Sequence, residues 1–288
     1  MNVVHHRTAT VDGHRVFYRE AGPDQAPTVL LLHGYPTSSH MFRELIPALA
    51  DRYHVIAPDH LGFGQSDTPP VDEFEYSFDA LASITEGLLD ALDVERFAIY
   101  VQDYGAPIGW RLALARPERV TAIISQNGNA YEAGFVESFW APIWAYAADP
   151  GPGNETALRG ALGLEAIRWQ YLHGVSDPSL VSPDTWTHDH ALIQRPGNDA
   201  IQLRLFRDYA TNVALYPRVH EYFRESRVPL LAVWGANDGI FGPDGARAFR
   251  DDLPDAEIHL LDAGHFALES DLDTVAARVR DFLGRAVA

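Results

Sequence analysis

The sequence predicts an α/β fold in which a mostly parallel central sheet is flanked by helices. Two observations lead to this prediction. Short runs rich in Val, Ile, Leu and Phe alternate along the chain with longer stretches whose apolar residues recur at helical spacing. Runs of the first kind are typical of strands buried on both faces of a parallel sheet, and stretches of the second kind are typical of the helices that cover those faces.

The predicted elements follow one another in regular alternation. Strands are predicted at residues 14–19, 28–32, 54–56, 97–101, 120–125, 230–234 and 257–261. Helices are predicted at residues 41–50, 78–92, 106–116, 244–253 and 272–282. With 288 residues, of which 47% are hydrophobic, the chain can form one large domain that carries an inserted subdomain.

The insertion is predicted where the alternation stops, at residues 129–217. This region is rich in aromatic residues and is interrupted by turn signals such as Asp149-Pro150-Gly151-Pro152-Gly153. Strands resume after Val228-Pro229, so the region lies between two strands of one sheet. We therefore predict a mainly helical lid, or cap, over the strand ends where active sites form, with a core made of residues 1–128 and 218–288.

The composition excludes several classes of function. A formal net charge of −18 without a basic stripe argues against nucleic-acid binding. The chain has no Cys and no Lys, which excludes disulfides, thiolate nucleophiles, Cys-ligated metals and Schiff-base lysines. Neither residues 1–7 nor any later segment has an apolar run typical of a signal sequence or a membrane span, so we expect a cytoplasmic protein without a membrane partner.

A candidate nucleophile lies at Asp103. The apolar run 97–101 leads directly into Gln102-Asp103-Tyr104-Gly105 and then into a predicted helix. A strand, a tight turn and a helix in this order form a nucleophile elbow, which presents one side chain at the edge of the sheet together with the N–H of the next residue. The usual pattern is G-x-S-x-G, and here Val and Asp replace the first Gly and the Ser. The alternative is an aspartate that only caps the following helix.

Two later strands end in residues that would complete a catalytic triad. Asp238 closes the run Trp234-Gly235-Ala236-Asn237-Asp238, and His265 lies in Asp262-Ala263-Gly264-His265-Phe266. The chain order nucleophile, acid, base is the one expected for an elbow of this kind. Its glycine-flanked loop after a strand distinguishes His265 among the 13 histidines. No His or carboxylate cluster indicates a metal site, so we predict neither a metal nor another cofactor.

The chain resembles the α/β-hydrolase superfamily over nearly its whole length, and in particular the branch of epoxide hydrolases and haloalkane dehalogenases. The motifs behind this resemblance are His33-Gly34-Tyr35-Pro36, Ala57-Pro58-Asp59-His60-Leu61-Gly62-Phe63-Gly64-Gln65-Ser66, Gln102-Asp103-Tyr104-Gly105, Ala236-Asn237-Asp238 and Gly264-His265-Phe266-Ala267-Leu268-Glu269. Segments 127–132 and 201–209 are similar to a microbial group of epoxide hydrolase-like proteins. The resemblance implies the α/β-hydrolase fold, with the backbone N–H groups of Tyr35 and Tyr104 as oxyanion-hole donors.

The resemblance also implies a covalent mechanism. A carboxylate nucleophile is expected to attack an sp³ carbon and to leave an alkyl ester on Asp103, which disfavours the chemistry of serine esterases. His265, oriented by Asp238, is expected to activate water against the carbonyl of that ester. The expected reaction partners are water and a small-molecule substrate, either an epoxide or a haloalkane. The oligomeric state is left open, and a homodimer is compatible with the sequence.

The leaving group separates these two chemistries. A departing halide needs N–H donors, whereas an opening epoxide becomes an alkoxide and needs a proton, which a tyrosine can supply. In haloalkane dehalogenases Trp usually follows the nucleophile and Asn or Glu often follows His-Gly, but this chain has Tyr104 and Tyr35 there. Epoxide hydrolases take two tyrosines from the lid, and by local pattern Tyr171 and Tyr209 are the candidates. We therefore predict an epoxide hydrolase, while simple packing of lid aromatics is the alternative for both tyrosines.

Two other functions stay open at this point. The first is a haloalkane dehalogenase, because Val101-Gln102-Asp103 also occurs in some of these enzymes. An indole N–H from the lid could then bind the halide, and the lid tryptophans are Trp140, Trp144, Trp169 and Trp186. The second is a hydrolase-fold binding protein that has lost turnover, which would show ligand-induced thermal stabilisation without product.

Overall fold

The computed structural model describes residues 3–287 and contains an eight-stranded, mostly parallel sheet. Its strands are β1 (His5–Val11), β2 (His14–Ala21), β3 (Thr28–Leu32), β4 (His54–Pro58), β5 (Phe97–Gln102), β6 (Val120–Gln126), β7 (Leu230–Gly235) and β8 (Glu257–Leu261). All seven predicted strands are present, each ending within two residues of its predicted bounds. The prediction of an α/β fold with a mostly parallel sheet is thereby confirmed.

Strand β1 is an addition to the predicted set. It lies at the edge of the sheet with mostly exposed side chains, so its sequence contains no apolar run. It pairs with β2 along its whole length, and the two strands are joined by Asp12-Gly13. Both turn residues have positive φ values, 49° and 84°, as a two-residue hairpin turn of this hand requires.

The strands lie in the order β1-β2-β4-β3-β5-β6-β7-β8. Strands β1 and β2 run antiparallel to each other, β2 runs antiparallel to β4, and every later pairing is parallel. The central strands β5 and β7 are buried over their whole length. Because parallel strands end at the same edge of a sheet, the loops that follow β3, β5, β6, β7 and β8 meet at one edge.

The helices pack around this sheet. They are α1 (Leu45–Leu49), α2 (Phe78–Ala91), α3 (Gly105–Ala115), α4 (Glu137–Ala148), α5 (Pro152–Arg159), α6 (Leu164–Leu172), α7 (Pro183–Ile193), α8 (Asn198–Asp208), α9 (Ala210–Ser226), α10 (Pro243–Asp252), α11 (Ala267–Ser270) and α12 (Leu272–Ala286). The helix predicted at residues 41–50 divides into a 3₁₀ turn at Ser39–Phe42 and the short α1. Pro47 explains the division, because proline is tolerated only in the first turn of a helix.

Six helices, α4 to α9, lie between β6 and β7. These two strands are neighbours in the sheet, so the segment leaves it and returns to it at adjacent positions. The predicted end of the cap, residue 217, falls inside α9, whose helix continues through Pro217. The division into core and cap therefore stays a prediction, and residues 1, 2 and 288 of the predicted core lie outside the described residues.

Candidate active site

The turn after β5 holds Asp103 in a strained conformation. Its φ is 48°, in the left-handed region that non-glycine residues rarely adopt. Glycines let the adjoining backbones approach: a Cβ at Gly34 would lie 2.3 Å from Oδ1 of Asp103, and a Cβ at Gly105 would lie 2.0 Å from the carbonyl oxygen of Leu32. Helix α3 begins without a side-chain cap at Tyr104. The geometry therefore corresponds to an elbow and does not favour the helix-cap alternative for Asp103.

The Asp103 carboxylate faces two backbone N–H groups. The N–H of Tyr35, in the loop after β3, donates to Oδ1 over 2.7 Å. The N–H of Tyr104 also donates to this carboxylate. These are the two donors predicted for the oxyanion hole. With Oδ1 held by the Tyr35 amide, the Oδ2 atom is the oxygen that faces His265.

His265 lies between the two carboxylates. Its Nδ1 is 2.8 Å from Oδ2 of Asp238, and its Nε2 is 3.9 Å from Oδ2 of Asp103. The second oxygen of Asp238 accepts a hydrogen bond of 2.8 Å from the N–H of Ile240. All three predicted triad residues are buried, with 2–5% of their surface exposed. The structure thus brings together three residues that come from three different strand ends.

The pKa values of Asp103 and His265 reflect their burial and the attraction between opposite charges. Burial raises the pKa of Asp103 to about 6, against the opposing effects of His265 and of the two backbone N–H groups. Burial alone would lower the pKa of His265, but Asp238 and, to a smaller extent, Asp103 reverse the direction and raise it. Asp103 therefore titrates closer to neutrality than a free carboxylate does, as expected for a group in a site that moves protons.

Tyr209, at the junction of α8 and α9, is brought to the site. Its ring centroid lies 5.9 Å from that of Tyr104 and 4.4 Å from that of Trp140. The hydroxyl is buried and has no hydrogen-bond partner among residues 3–287, although it faces Tyr216. Burial raises its pKa well above the usual value, with further increases from Tyr216 and Asp103. Its packing on Tyr104, the residue that follows Asp103, places the ring of Tyr209 beside the loop that carries the candidate nucleophile.

Tyr171 is placed differently from the expectation. Its ring stacks on Phe266 with a centroid distance of 4.0 Å. Its hydroxyl donates a very short hydrogen bond to Oδ2 of the buried Asp189. Because this proton is already bonded to a carboxylate inside the cap, the geometry does not support Tyr171 as a proton donor at Asp103. The local sequence pattern marked a buried aromatic residue correctly but gave no information about the direction of its hydroxyl.

The lid tryptophans provide less halide-binding capacity than the sequence allowed. The indole N–H of Trp140, the lid tryptophan that packs on Tyr209, donates to the carbonyl oxygen of Ile240 over 2.9 Å. Trp169 is 39% exposed and stacks on His173. Trp144 lies beside Trp140, whereas Trp186 lies beside Tyr171.

Three polar groups near the triad received no role from the sequence. Asn127, after β6, donates to Oδ2 of Asp238 over 2.8 Å and accepts from the N–H of Gly235 over 2.9 Å. Gln102 lies 2.7 Å from His265, nitrogen to nitrogen. The hydroxyl of Tyr104 is buried without a partner among the described residues. A signal existed for Gln102, because it is a polar residue at the carboxyl end of an otherwise apolar strand.

No metal centre accompanies these groups in the part of the chain that is described. Within residues 3–287, no three or more His, Asp or Glu side chains are grouped in a way that could hold a metal ion. Over the same residues, none of the helices combines the length and the apolar character that crossing a membrane would require.

A buried triad on an elbow, at the carboxyl edge of a mostly parallel sheet, defines a class of hydrolytic protein, and comparison with known families agrees. The profile of the alpha/beta hydrolase fold family matches residues 27–272. The chain therefore belongs to the α/β-hydrolase fold family. This confirms the superfamily that its motifs resemble.

Comparison with individual relatives identifies a branch within the α/β-hydrolase fold family. An uncharacterized hydrolase of Saccharomyces cerevisiae is 46% identical over 278 residues, covering 95% of each chain. Haloalkane dehalogenase 2 of Mycobacterium bovis is 38% identical over 280 residues, covering 94% of this chain and 92% of the relative. The crystal structure of epoxide hydrolase A from Mycobacterium thermoresistibile has a TM-score of 0.76 and 25% identity, covering 98% of this chain and 99% of the other. The chain is thus a hydrolase of the haloalkane dehalogenase and epoxide hydrolase branch.

Proposed function

We propose that this protein opens small epoxides to vicinal diols through an alkyl ester on Asp103. The observation that supports the proposal most strongly is the arrangement of polar groups around this one carboxylate. One oxygen is held by the Tyr35 amide, the other lies 3.9 Å from Nε2 of His265, and the ring centroid of Tyr209 lies 5.9 Å from that of Tyr104, the residue that follows Asp103. Each of these groups has a step to perform in the reaction.

The first step is attack by Asp103. Because Oδ1 is bonded to the Tyr35 amide, Oδ2 is the oxygen with a lone pair free to form a bond to a ring carbon of the epoxide. The bond between that carbon and the ring oxygen breaks, and the electron pair remains on the oxygen as an alkoxide. The Tyr209 hydroxyl gives its proton to the alkoxide. The raised pKa of Tyr209 keeps this hydroxyl protonated at neutral pH.

The second step is hydrolysis of the ester. Nε2 of His265 takes a proton from water, and the resulting hydroxide attacks the carbonyl carbon of the Asp103 ester. The negative charge that develops on Oδ1 is stabilised by the N–H groups of Tyr35 and Tyr104. The bond from the carbonyl carbon to the alkyl oxygen then breaks and the diol leaves. His265 returns its proton to the departing product oxygen. The regenerated Asp103 carboxyl loses to solvent the second proton that came from water, and the Tyr209 phenolate takes one proton from solvent, which restores the starting state.

The charge on Asp103 differs between these two steps, and this difference changes the pKa of His265. In the resting state the Asp103 carboxylate raises the pKa of His265. Formation of the ester removes this negative charge, so the pKa of His265 falls. Neutral imidazole, the form needed to accept a proton from water, is therefore favoured once the substrate is attached.

A haloalkane dehalogenase is the second candidate. It is favoured by the 38% identity to haloalkane dehalogenase 2 of Mycobacterium bovis, and the attack by Asp103 and the hydrolysis by His265 would be the same. It is disfavoured by the leaving-group side of the site. The backbone-bonded indole of Trp140 is not free for a halide, whereas the buried hydroxyls of Tyr104 and Tyr209 have no acceptor among residues 3–287 by hydrogen-bond geometry.

The experiment measures where the oxygen atom of water is incorporated during turnover. In a single turnover of styrene oxide in H₂¹⁸O with enzyme in excess, we expect the heavy oxygen in the Asp103 peptide and not in the diol, because water attacks the ester carbonyl. With His265→Gln, the peptide that contains Asp103 should instead gain the mass of the alkyl group. A label that enters the diol directly would contradict the covalent mechanism. Bromide release from 1-bromobutane without diol formation from epoxides would establish the second candidate.

A further inference from the structure

Gln102 is the last residue of β5, immediately before the candidate nucleophile, and its side chain is fully buried. Its amide nitrogen Nε2 lies 2.7 Å from Nε2 of His265. Its amide oxygen Oε1 is buried and has no hydrogen-bond partner among residues 3–287. A buried amide oxygen without a hydrogen bond lowers the free energy of unfolding, so the orientation of the Gln102 amide requires an explanation.

With the amide nitrogen of Gln102 facing the ring, the contact corresponds to one protonation state of His265. An amide nitrogen can only donate a hydrogen bond, so Nε2 of His265 must accept one and carries no proton. The proton of the ring therefore lies on Nδ1, where it is donated to Asp238 over 2.8 Å. In this orientation Gln102 stabilises the neutral imidazole and occupies the lone pair of Nε2, so the amide must move away before that nitrogen can take a proton from water.

The same contact becomes repulsive once the imidazole has accepted a proton. Two N–H groups would then face each other over 2.7 Å. A rotation of the amide by about 180° about its last torsion exchanges the nitrogen and the oxygen, because the two ends of the group have nearly the same shape. Since Oε1 has no partner to lose, the rotation brings an acceptor to the imidazolium without breaking another hydrogen bond of Oε1 within the described residues.

We propose that Gln102 is a positioning residue whose amide reverses with the protonation of His265, donating to the neutral ring and accepting from the charged one. The part of this inference that concerns the free enzyme depends only on the contact between Gln102 and His265. The role in ester hydrolysis rests on the proposed function. The charged groups that face His265 are Asp238, after β7, and Asp103, after β5, so both must be kept in any variant that tests Gln102.

The test is the titration of His265 in the free enzyme, followed by ¹⁵N NMR of labelled histidine and assigned with His265→Gln. Removing the amide in Gln102→Met takes away an acceptor from the imidazolium and a donor from the neutral ring. The bond to the charged form is the stronger one, so we expect the pKa of His265 to fall by roughly one unit. A carboxylate in Gln102→Glu, which can only accept, should raise it.

The matched control is Gln202, which is also fully buried with an unpartnered Oε1 but donates to Asn198 over 3.0 Å. Gln202→Met should leave the titration of His265 unchanged. A rise in the pKa of His265 in Gln102→Met would overturn the proposal, because it would mean that the amide is a fixed donor. An unchanged pKa would overturn it as well.

The wild-type protein offers a second measurement that needs no variant at position 102. The side-chain amide resonances of Gln102 should shift with the same midpoint as His265, and resonances that stay constant through that titration would refute the reversal. In single-turnover kinetics, Gln102→Met should slow hydrolysis of the alkyl-enzyme by about tenfold while its formation is unaffected. If no epoxide alkylates Asp103, the proposed function fails, yet the NMR titration still decides the role of Gln102.

Discussion

The two sides of the site are built in different ways. On the side of the sheet, Asp103, Asp238 and His265 follow separate strands and are bonded to backbone or side-chain groups at the same sheet edge. On the side of the helical insertion, Tyr209 is held by aromatic packing against Trp140 and Tyr104, and its hydroxyl has no partner in the described structure. The sheet side is preorganised by hydrogen bonds, whereas the insertion side presents a buried hydroxyl whose ring is held by aromatic packing.

This difference suggests that the two sides of the site perform different parts of the reaction. A preorganised carboxylate and imidazole can run the same covalent chemistry on any carbon electrophile, since their geometry does not depend on the leaving group. In the proposed mechanism the groups on the insertion side meet the leaving group, so they would determine whether an alkoxide or a halide departs. Substitutions on the sheet side should therefore affect all substrates equally, and those on the insertion side should be selective for one class.

The largest effect is expected for Asp103→Asn. The amide is a poor nucleophile, so turnover of epoxides and haloalkanes should both fall by at least about 10³-fold. Steady-state rates with styrene oxide and with 1-bromobutane measure this, and Asp24→Asn, at a largely exposed position outside the site, serves as the control. Retention of activity on either class would refute the view that the sheet side performs the common step.

The same variant should be more stable than the wild type. The folded-state pKa of Asp103 is raised from 3.8 to about 6, so the ionised carboxylate disfavours folding at neutral pH. Asp103→Asn should therefore increase the free energy of unfolding by on the order of 1–3 kcal/mol above pH 6, with the gain disappearing as the pH falls from 6 towards 4. Urea unfolding at pH 7 and at pH 4 measures the difference, and an equal gain at both values would contradict the electrostatic explanation.

The sequence predicted the sheet side better than the insertion side for a physical reason. Asp103, Asp238 and His265 each follow an apolar strand, and parallel strands place their following loops at a common edge. Position along the chain therefore implies position in space. A helix in the insertion has no such fixed frame, so the local patterns around Tyr171 and Tyr209 could not tell which tyrosine packs beside Tyr104 and which bonds to Asp189.

Sequence-based prediction was also limited for strand β1, at the edge of the sheet. The buried strands were predictable because burial on both faces requires apolar runs, but β1 is exposed and was missed despite the hairpin signal Asp12-Gly13. Asn127 was missed at the site because its function depends on pairing between β6 and β7, which are separated by the whole insertion in the sequence. Tertiary contacts across such a distance leave no local pattern.

An intermediate effect is expected for Tyr209→Phe. Loss of the proton donor should slow ring opening of styrene oxide by about 10- to 100-fold, while any halide release from 1-bromobutane should change little because a halide needs no proton. Stopped-flow measurement of alkyl-enzyme formation separates this step from hydrolysis. Equal losses on both substrate classes would remove the proposed division of labour between sheet and insertion.

The pH dependence should also come from the sheet side alone. Attack requires ionised Asp103, so kcat/KM should fall as the pH drops below about 6, by roughly tenfold for each pH unit. The pKa of Tyr209 lies well above its usual value, so the insertion side should add no loss of rate between pH 7 and 9. A decline with rising pH in that range that persists in Tyr209→Phe would locate an additional titrating group outside this tyrosine.

The smallest effect on activity is expected for Tyr171→Phe, the matched partner of Tyr209→Phe. Its hydroxyl is bonded to the buried Asp189, whose other oxygen lies 3.2 Å from Nδ1 of His188. Removing the donor should lower the free energy of unfolding by about 1–3 kcal/mol, because a buried carboxylate loses a hydrogen bond. Turnover of styrene oxide should remain within about threefold, since the proton of Tyr171 is not used at Asp103. A loss comparable to that of Tyr209→Phe, at unchanged stability, would show that the cap rearranges on substrate binding and that both lid tyrosines reach the leaving group.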